Sequence, residues 1–300
     1  MIRIGVDLGG TKIEAIALDA AGRERLRRRV PSPSDRYEAI VDAIRSLVAE
    51  VEATLGERGT VGIGTPGAMS PATGLIKNAN STVLNGRPFA ADMAAALGRE
   101  VRVENDANCF ALSEASDGAG AGHRLVFGVI LGTGVGGGIV HDGRVWAGPN
   151  AIAGEWGHNE LPARGESGLP DTLCWCGRHR CIETYLSGPA MAADHARVAA
   201  EALDAQQIAA RAQAGDAAAR ATLDRYVRRL AAGLAGVVNV LDPDAIVLGG
   251  GLSNIEALYA PLRQQLAEAV FSDHVATRVV RHHHGDASGV RGAAWLWPAG

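Results

Sequence analysis

The stretch "CWCGRHRC", Cys174 to Cys181, holds three of the four cysteines in a chain of 300 residues. Thiolates at that density suit a metal site or a redox site, and the compartment decides how either is read. The N-terminal "MIRIGVDLGG" lacks the basic, apolar and small-residue order of a signal peptide, and the chain has no run of eighteen uncharged apolar residues. The expectation is therefore a soluble, cytoplasmic protein in a reducing setting, where disulfides are rare. The Cys-x-Cys-x4-Cys spacing is not the CxxC of redox proteins, but a metal site, free thiols and a redox site all stay open at this point. Cys109, on the apolar face of a helix, reads as a buried core residue.

A second chemistry is carried by glycine, of which there are 39 residues. Three turns, "DLGGTK" (Asp7 to Lys12), "LGTGVGGG" (Leu131 to Gly138) and "LGGGL" (Leu248 to Leu252), each follow an apolar strand. Phosphate oxygens need backbone N–H groups brought close without a Cβ in the way, and glycine permits that approach. Any one such turn reads first as hairpin geometry, whereas three in repeated contexts favour a polyphosphate clamp. None is a GxxxxGK[ST] loop or a GxGxxG turn opening a helix, so the Walker and Rossmann readings fail. A third chemistry is a single carboxylate. Asp106 lies where "VRVEN" meets "ANCFALSEA"; it is placed either to orient and deprotonate an acceptor hydroxyl or to cap the helix, and the sequence alone leaves both open.

These residues need elements to hold them. The N-terminus predicts a strand, a glycine turn, a second strand and a third, "RERLRRRV", followed by a helix over 37–55 with apolar residues at helical spacing and a buried strand in "GTVGIGTPG". A helix over 89–97, the strand "EVRVEND" and the helix "ANCFALSEASDG" complete a parallel α/β pattern. The opening pattern then returns in "HRLVFGVILGTGVGGGIVHDGRVW", as though one hairpin unit serves each of two lobes. Helices are expected over 190–203, 205–214 and 216–240, then a strand "AIVLG", a helix over 255–270, and a closing helix in "GVRGAAWLWP" with its two Trp residues turned inward.

With 47% hydrophobic and 21% charged residues and a net charge of −4, the composition is that of a globular protein and speaks against general binding of nucleic acid or anionic membranes. "RERLRRR" reads as the solvated face of an outer strand, and "RHHHGD" as a polar loop rather than a tag or a metal tract.

The glycine turns together with "GTPG" (Gly64 to Gly67), "KNANS" (Lys77 to Ser81), "ENDANC" (Glu104 to Cys109), "GEWGH" (Gly154 to His158) and "CWCGRHRCIET" make the chain similar to the ROK group (repressors, open reading frames, kinases). This group lies within the ATPase superfamily shared by actin, Hsp70 and sugar kinases. Among ROK kinases, "NANSTVLNGRPF", "NDANCFALSEASDG" and "SGVRGAAWLWP" most resemble bacterial fructokinases of the manno(fructo)kinase type.

The resemblance implies an α/β, two-lobed actin-like or Hsp70-like ATPase fold of ribonuclease H-like duplicated lobes, with ATP and sugar in the cleft. The lobes would span residues 1–117, with a helix at about 288–300 packing back on that lobe, and 118–287, with a zinc segment and a helical insertion. It further implies an ATP-dependent hexose kinase, in first place a fructokinase making fructose 6-phosphate, with mannose, glucose or N-acetylglucosamine as alternative substrates. Asp106 becomes the general base. Asn80, Asn105, Asp106, Glu155, His158 and Glu183 become sugar ligands. Asp7, Gly9, Gly10, Thr11, Lys12, Gly132, Thr133, Gly134, Gly136, Gly249, Gly250 and Gly251 hold ATP. Asp7 would also orient Mg²⁺ or its waters, although capping the turn is an equally physical role for it.

The thiols find their partner in the same comparison. His158 with Cys174, Cys176 and Cys181 makes a Cys₃His set suited to tetrahedral Zn²⁺, and four protein ligands leave no open position, so the metal is expected to be structural. Such a zinc would pin Glu155 and Glu183, which neighbour its ligands in sequence, into one pocket. His179 is left out of the set because it would cramp the loop. A homodimer is the family expectation. ROK repressors share this body but carry a DNA-reading helix-turn-helix ahead of it, and here the phosphate hairpin begins at Met1; a non-catalytic sugar-binding protein is the remaining reading.

Overall fold

The computed structural model describes residues 1–298 apart from 163–165 and 167. Strand β1 (Arg3–Leu8) turns into β2 (Lys12–Leu18) and β3 (Glu24–Pro31), and α1 (Tyr37–Leu55) follows. Apolar side chains on one stripe bury Ile40, Ile44, Leu47, Val48 and Val51, and the helix stops at Gly56 in the left-handed region, with φ 69°. Then come β4 (Thr60–Thr65), a two-stranded pair β5 (Ala68–Met69) and β6 (Ile76–Lys77), α2 (Phe89–Leu97), β7 (Val101–Asn105) and α3 (Asp106–Asp117). The second half runs β8 (Leu125–Leu131), β9 (Val135–His141), β10 (Arg144–Val145), α4 (Glu183–Leu186), α5 (Gly188–Ala199), α6 (Ala205–Gln213), α7 (Ala217–Leu241), β11 (Ala245–Gly249), α8 (Tyr259–Ala269), β12 (Arg278–Arg281) and α9 (Ser288–Trp295).

The two five-stranded sheets have the same plan. Their orders are β3-β2-β1-β4-β7 and β10-β9-β8-β11-β12. In each, an opening hairpin lies to one side of its first strand and two parallel strands lie to the other. The chain divides into two compact units, Met1–Gly122 with Gly138–Ala153 and His283–Gly300, and His123–Gly137 with Gly154–His282, so that the boundary cuts through β9.

In the first unit the sheet is covered on both faces. Along β2 the period-two rule sends Ile13, Ala15 and Ala17 into a core shared with Ile40, Ile44 and Val48 of α1. Ile16 and Leu18 go to the opposite face, against Val290 and Ala294 of α9. Each fully buried Ile or Leu contributes about 1.5 to 3 kcal/mol. Helix α9 reaches the sheet because two strand positions lack side chains: a Cβ on Gly5 would lie 2.0 Å from the Val290 carbonyl oxygen, and one on Gly62 would lie 1.9 Å from that of Ala293. Trp295, which ends α9, and Trp297 just beyond it are not turned fully inward as expected. Both are half-buried. The Arg3 guanidinium stacks on Trp295 and that of Arg102 on Trp297, whose indole N–H donates to the Val61 carbonyl at 2.7 Å. An indole with a polar N–H packs well where one side stays wet.

The basic strand β3 is the edge of its sheet, and Arg27, Arg28 and Arg29 are paired locally. Arg27 and Arg29 bracket the buried Glu14, and Arg28 pairs with Glu50. "RHHHGD" supplies a clasp. The backbone N–H groups of His283 and His284 and the Ser288 hydroxyl all donate to the fully buried Glu114 carboxylate, and the His284 ring bonds Asp117. Burial acts to raise the Glu114 pKa, but these donors together with the Ala119 N–H outweigh it and hold the carboxyl below its ordinary range.

In the second unit α7 forms the spine, with α5, α6 and α8 packed along it. Helix α5 starts two residues before the expected 190, because Ser187 caps it and Pro189 occupies its first turn, and it ends where Ala200 turns left-handed. The short β12 escaped the sequence reading: four residues without flanking glycines carry little periodicity, and only pairing with β11 makes them a strand.

Candidate active site and metal centre

In the first unit the functional groups gather at the carboxyl ends of parallel strands. Asp7 of β1, Gly64 of β4 and Glu104 of β7 stand in register across three neighbouring strands. Asp7 is partly buried, and desolvation, with the negative charges of Asp106 and Glu14 adding to it, raises its pKa to about 6. The hairpin beyond it closes through the Gly9 N–H on the Lys12 carbonyl at 3.0 Å and leaves Gly10 and Thr11 exposed. Lys12, beside them, is 3.6 Å from Glu14.

One residue further along β7 the two readings of Asp106 separate. The cap of α3 is Asn105, whose Oδ1 accepts the N–H groups of Ala107 and Asn108. Asp106 is the first helical residue; its carboxylate is exposed and accepts the Ala107 N–H at 2.8 Å. The helix N-terminus favours its negative form. Asn105 is thus largely occupied within the protein, since its Nδ2 also donates to the Gly67 carbonyl at 3.0 Å, leaving one amide N–H for a ligand. Glu104 braces the turn by accepting the Asn105 N–H and the Asn108 amide. Asn80 is exposed on a loop whose shape is set by Asn85, which bonds both the N–H and the carbonyl of Ala79 at 2.9 Å. Glu104 and Asn85 were not singled out in the sequence. An Asn or a Glu next to a motif carries no signal until its partners are known.

In the second unit the other two glycine turns come together. Gly132 N–H bonds the Gly134 carbonyl at 3.0 Å, and Gly250, at φ 78°, lies so close to Leu131 that a Cβ would sit 2.4 Å from its carbonyl oxygen. Thr133 and Gly251 are exposed, Gly136 is half-buried and Gly249 closes the buried strand β11. Trp156, which is buried, donates its indole N–H to the Gly136 carbonyl and packs edge-on against Phe127; this anchors Glu155 and His158 on either side of it. Glu155 is exposed. Glu183 opens α4, and its carboxylate accepts the Val135 N–H at 2.9 Å and the Trp175 indole N–H at 2.6 Å.

His158, Cys174, Cys176 and Cys181 converge, with their ligand atoms all within 4.8 Å of one another. Two sulfurs on a tetrahedral zinc, at about 2.3 Å each, stand about 3.8 Å apart, and a sulfur and an imidazole nitrogen about 3.6 Å. The protein has Cys176 Sγ 3.7 Å from Cys181 Sγ and Cys174 Sγ 3.6 Å from His158 Nδ1. The donor set and spacing therefore fit Zn²⁺. Burial and the neighbouring thiols push Cys181 up to about 12, a bias that a bound dication reverses. His179 lies outside the cluster and faces Asp171 at 3.1 Å. Cys109 is fully buried, and its thiol is driven well above the ordinary range by desolvation.

Known proteins resemble this chain over nearly its whole length. The family description "ROK family" matches residues 3–299. An N-acetyl-D-glucosamine kinase of Escherichia coli is 44% identical over 296 residues, 97% of this chain and 98% of the relative. Two crystal structures align over 99% of the chain at 32% identity. One is a ROK hexokinase from Thermus thermophilus, with TM-score 0.87 and 97% of its chain covered. The other is a ROK family glucokinase from Streptomyces griseus in complex with glucose and AMPPNP, with TM-score 0.79 and 99% covered. The duplicated sheets and glycine turns are thus those of a carbohydrate kinase with the actin-like ATPase fold. The chain belongs to the ROK family, among its sugar kinases.

Proposed function

We propose that this protein transfers the γ-phosphoryl group of ATP to a hydroxyl of N-acetyl-D-glucosamine, with Asp106 as the general base. The observation that carries the chemistry is the division of labour at the start of α3: Asn105 caps the helix, and the Asp106 carboxylate stands exposed beside it. Phosphoryl transfer asks little covalent chemistry of a protein; positioning and charge stabilisation supply most of the rate. The backbone N–H groups of the turns at Gly9–Lys12 and Gly132–Gly136, with Thr11, Thr133 and Lys12, hold phosphate oxygens, and Gly249–Gly251 lies on the nucleoside side. Asp106 accepts the proton of the attacking hydroxyl. Asn80, the remaining N–H of Asn105, Glu155, His158 and Glu183 bind sugar hydroxyls. A sugar ligand left unpaired costs on the order of 1 to 3 kcal/mol, which is how a few such contacts select a substrate.

Asp7 would hold Mg²⁺ or its waters, and the ion when bound would supply neutralisation of the phosphate charge. His158, Cys174, Cys176 and Cys181 hold a structural Zn²⁺. The motifs shared across the family do not choose among hexoses. The full-length 44% identity with an N-acetyl-D-glucosamine kinase favours that sugar over fructose. The test is a hexose panel with MgATP and coupled detection of ADP. kcat/KM is expected to be highest for N-acetyl-D-glucosamine, with fructose well below it. A preference for fructose overturns the choice of sugar, and absence of hexose-dependent ADP release overturns the kinase reading.

A further inference from the structure

Trp175 occupies an unusual place. Its neighbours on both sides, Cys174 and Cys176, belong to the thiol cluster, and the turn is closed by the Cys174 N–H on the Arg178 carbonyl at 2.8 Å and the Gly177 N–H on the Cys174 carbonyl at 2.9 Å. The residue is nevertheless 65% exposed, far more than a large aromatic kept only for packing. The ring meets the His158 imidazole edge-on at 5.0 Å between centroids, and its N–H is aimed at Glu183 Oε1 at 2.6 Å. The other oxygen of the same carboxylate is taken by the Val135 N–H, at the end of the second glycine turn. Glu183 is thus gripped from two sides by groups of fixed position, one on the turn and one on the Cys loop.

We propose that Trp175 is a positioning residue for the sugar: its indole N–H orients the Glu183 carboxylate for a sugar hydroxyl. A carboxylate oxygen accepts more than one hydrogen bond, so the indole fixes the group and leaves lone pairs for the ligand. An aromatic donor is suited to this task because it has two side-chain torsions to restrain, and the flanking Cys residues already limit its backbone. The thiol cluster therefore acts on substrate binding through a side chain that ligates nothing.

The inference rests on the sugar-kinase reading, and the experiment separates the two. Wild type, Trp175→Phe and Glu183→Gln are compared for sugar KM, ATP KM, kcat, zinc content and the indole ¹⁵N–¹H spectrum. Phe keeps an aromatic ring beside His158 and removes the N–H donor together with the five-membered ring that carries it. Trp175→Phe is expected to raise the sugar KM about tenfold, the size of a lost hydrogen bond to a charged group, with ATP KM and zinc content unchanged and kcat within about twofold. The Trp175 indole resonance, identified by its loss in Trp175→Phe, is expected to move in Glu183→Gln. A sugar KM within twofold of wild type overturns the proposal, as does loss of zinc with a parallel rise in both KM values, which marks the loop as merely structural. If wild type turns over no hexose, the kinase reading falls by itself, and an indole resonance unmoved in Glu183→Gln then also overturns the link between Trp175 and Glu183.

Discussion

The two Gly/Thr turns use one backbone device in different electrostatic settings. The turn after β1 sits beside acidic groups: Asp7, raised to about 6, Glu14 and Asp106, with Lys12 as the cation on the turn itself. The turn after β8 contains no charged residue, and its end is tied by the Val135 N–H to Glu183 and so to Trp175 and the Cys loop. The two hairpins thus share their strand–turn–strand plan and differ in their surroundings, one beside a cation and a cluster of carboxylates, the other tied to a single carboxylate held by two donors.

The sharpest way to break the comparison is at Asp106, the proposed base. Asp106→Asn is expected to lower kcat by about 10³-fold, within the range for loss of a general base, with ATP binding by calorimetry and the melting temperature near wild type. Retained activity within tenfold would mean that the acidic setting of the first turn serves only structure. The other setting is broken through the metal. Cys181→Ser, or chelation with zinc loss verified by metal analysis, is expected to lower the unfolding midpoint by on the order of 10 °C, as a loss of a few kcal/mol does in a domain of this size, and to raise the sugar KM. An unchanged midpoint after confirmed metal loss would end the structural-zinc account.

Glycine substitutions sharpen the contrast between the turns. A Cβ on Gly10 meets nothing within 4 Å, whereas one on Gly134 lies 2.6 Å from Glu183 Oε2. Gly10→Ala is expected to raise only the ATP KM, by several-fold to about tenfold. Gly134→Ala is expected to raise the KM of both substrates by about tenfold, because it also displaces Glu183, the proposed sugar ligand. Steady-state kinetics with each substrate varied in turn distinguishes one pattern from the other.

The smallest effect is the pH dependence of stability. The folded pKa of Asp7, about 6, lies above the ordinary carboxylate value of about 3.9, so the folded state holds the extra proton between those limits. The stabilisation is fully present below about pH 4 and is lost as pH rises through 6. Asp7→Asn is expected to remove that slope and to gain on the order of 1 to 2 kcal/mol at pH 7, allowing for partial exposure; urea unfolding at pH 4 and pH 7 measures it.

Much of this was legible from residues alone. Helices α1 and α2 lie where apolar spacing puts them, at Tyr37–Leu55 and Phe89–Leu97, because periodicity is a local property and both end in left-handed glycines. The recurrence of strand, Gly/Thr turn and strand announced two similar sheets. The three closely spaced Cys residues pointed to a metal site among other readings, and with His158, added by the family resemblance, they form a cluster that could hold an ion.

What the sequence determined by itself was thus the set of chemistries available: backbone donors for phosphate, a carboxylate at a strand end, and thiols for a metal. The tertiary structure decided which groups do which work. It gave the helix cap to Asn105 and left Asp106 exposed, turned a run of arginines into counter-ions for Glu14, paired β12 with β11, and aimed the Trp175 indole at Glu183. The physical reason is range. Propensity, periodicity and ligand type are read within a few residues, whereas a hydrogen-bond partner is chosen by which atoms the fold brings within about 3 Å.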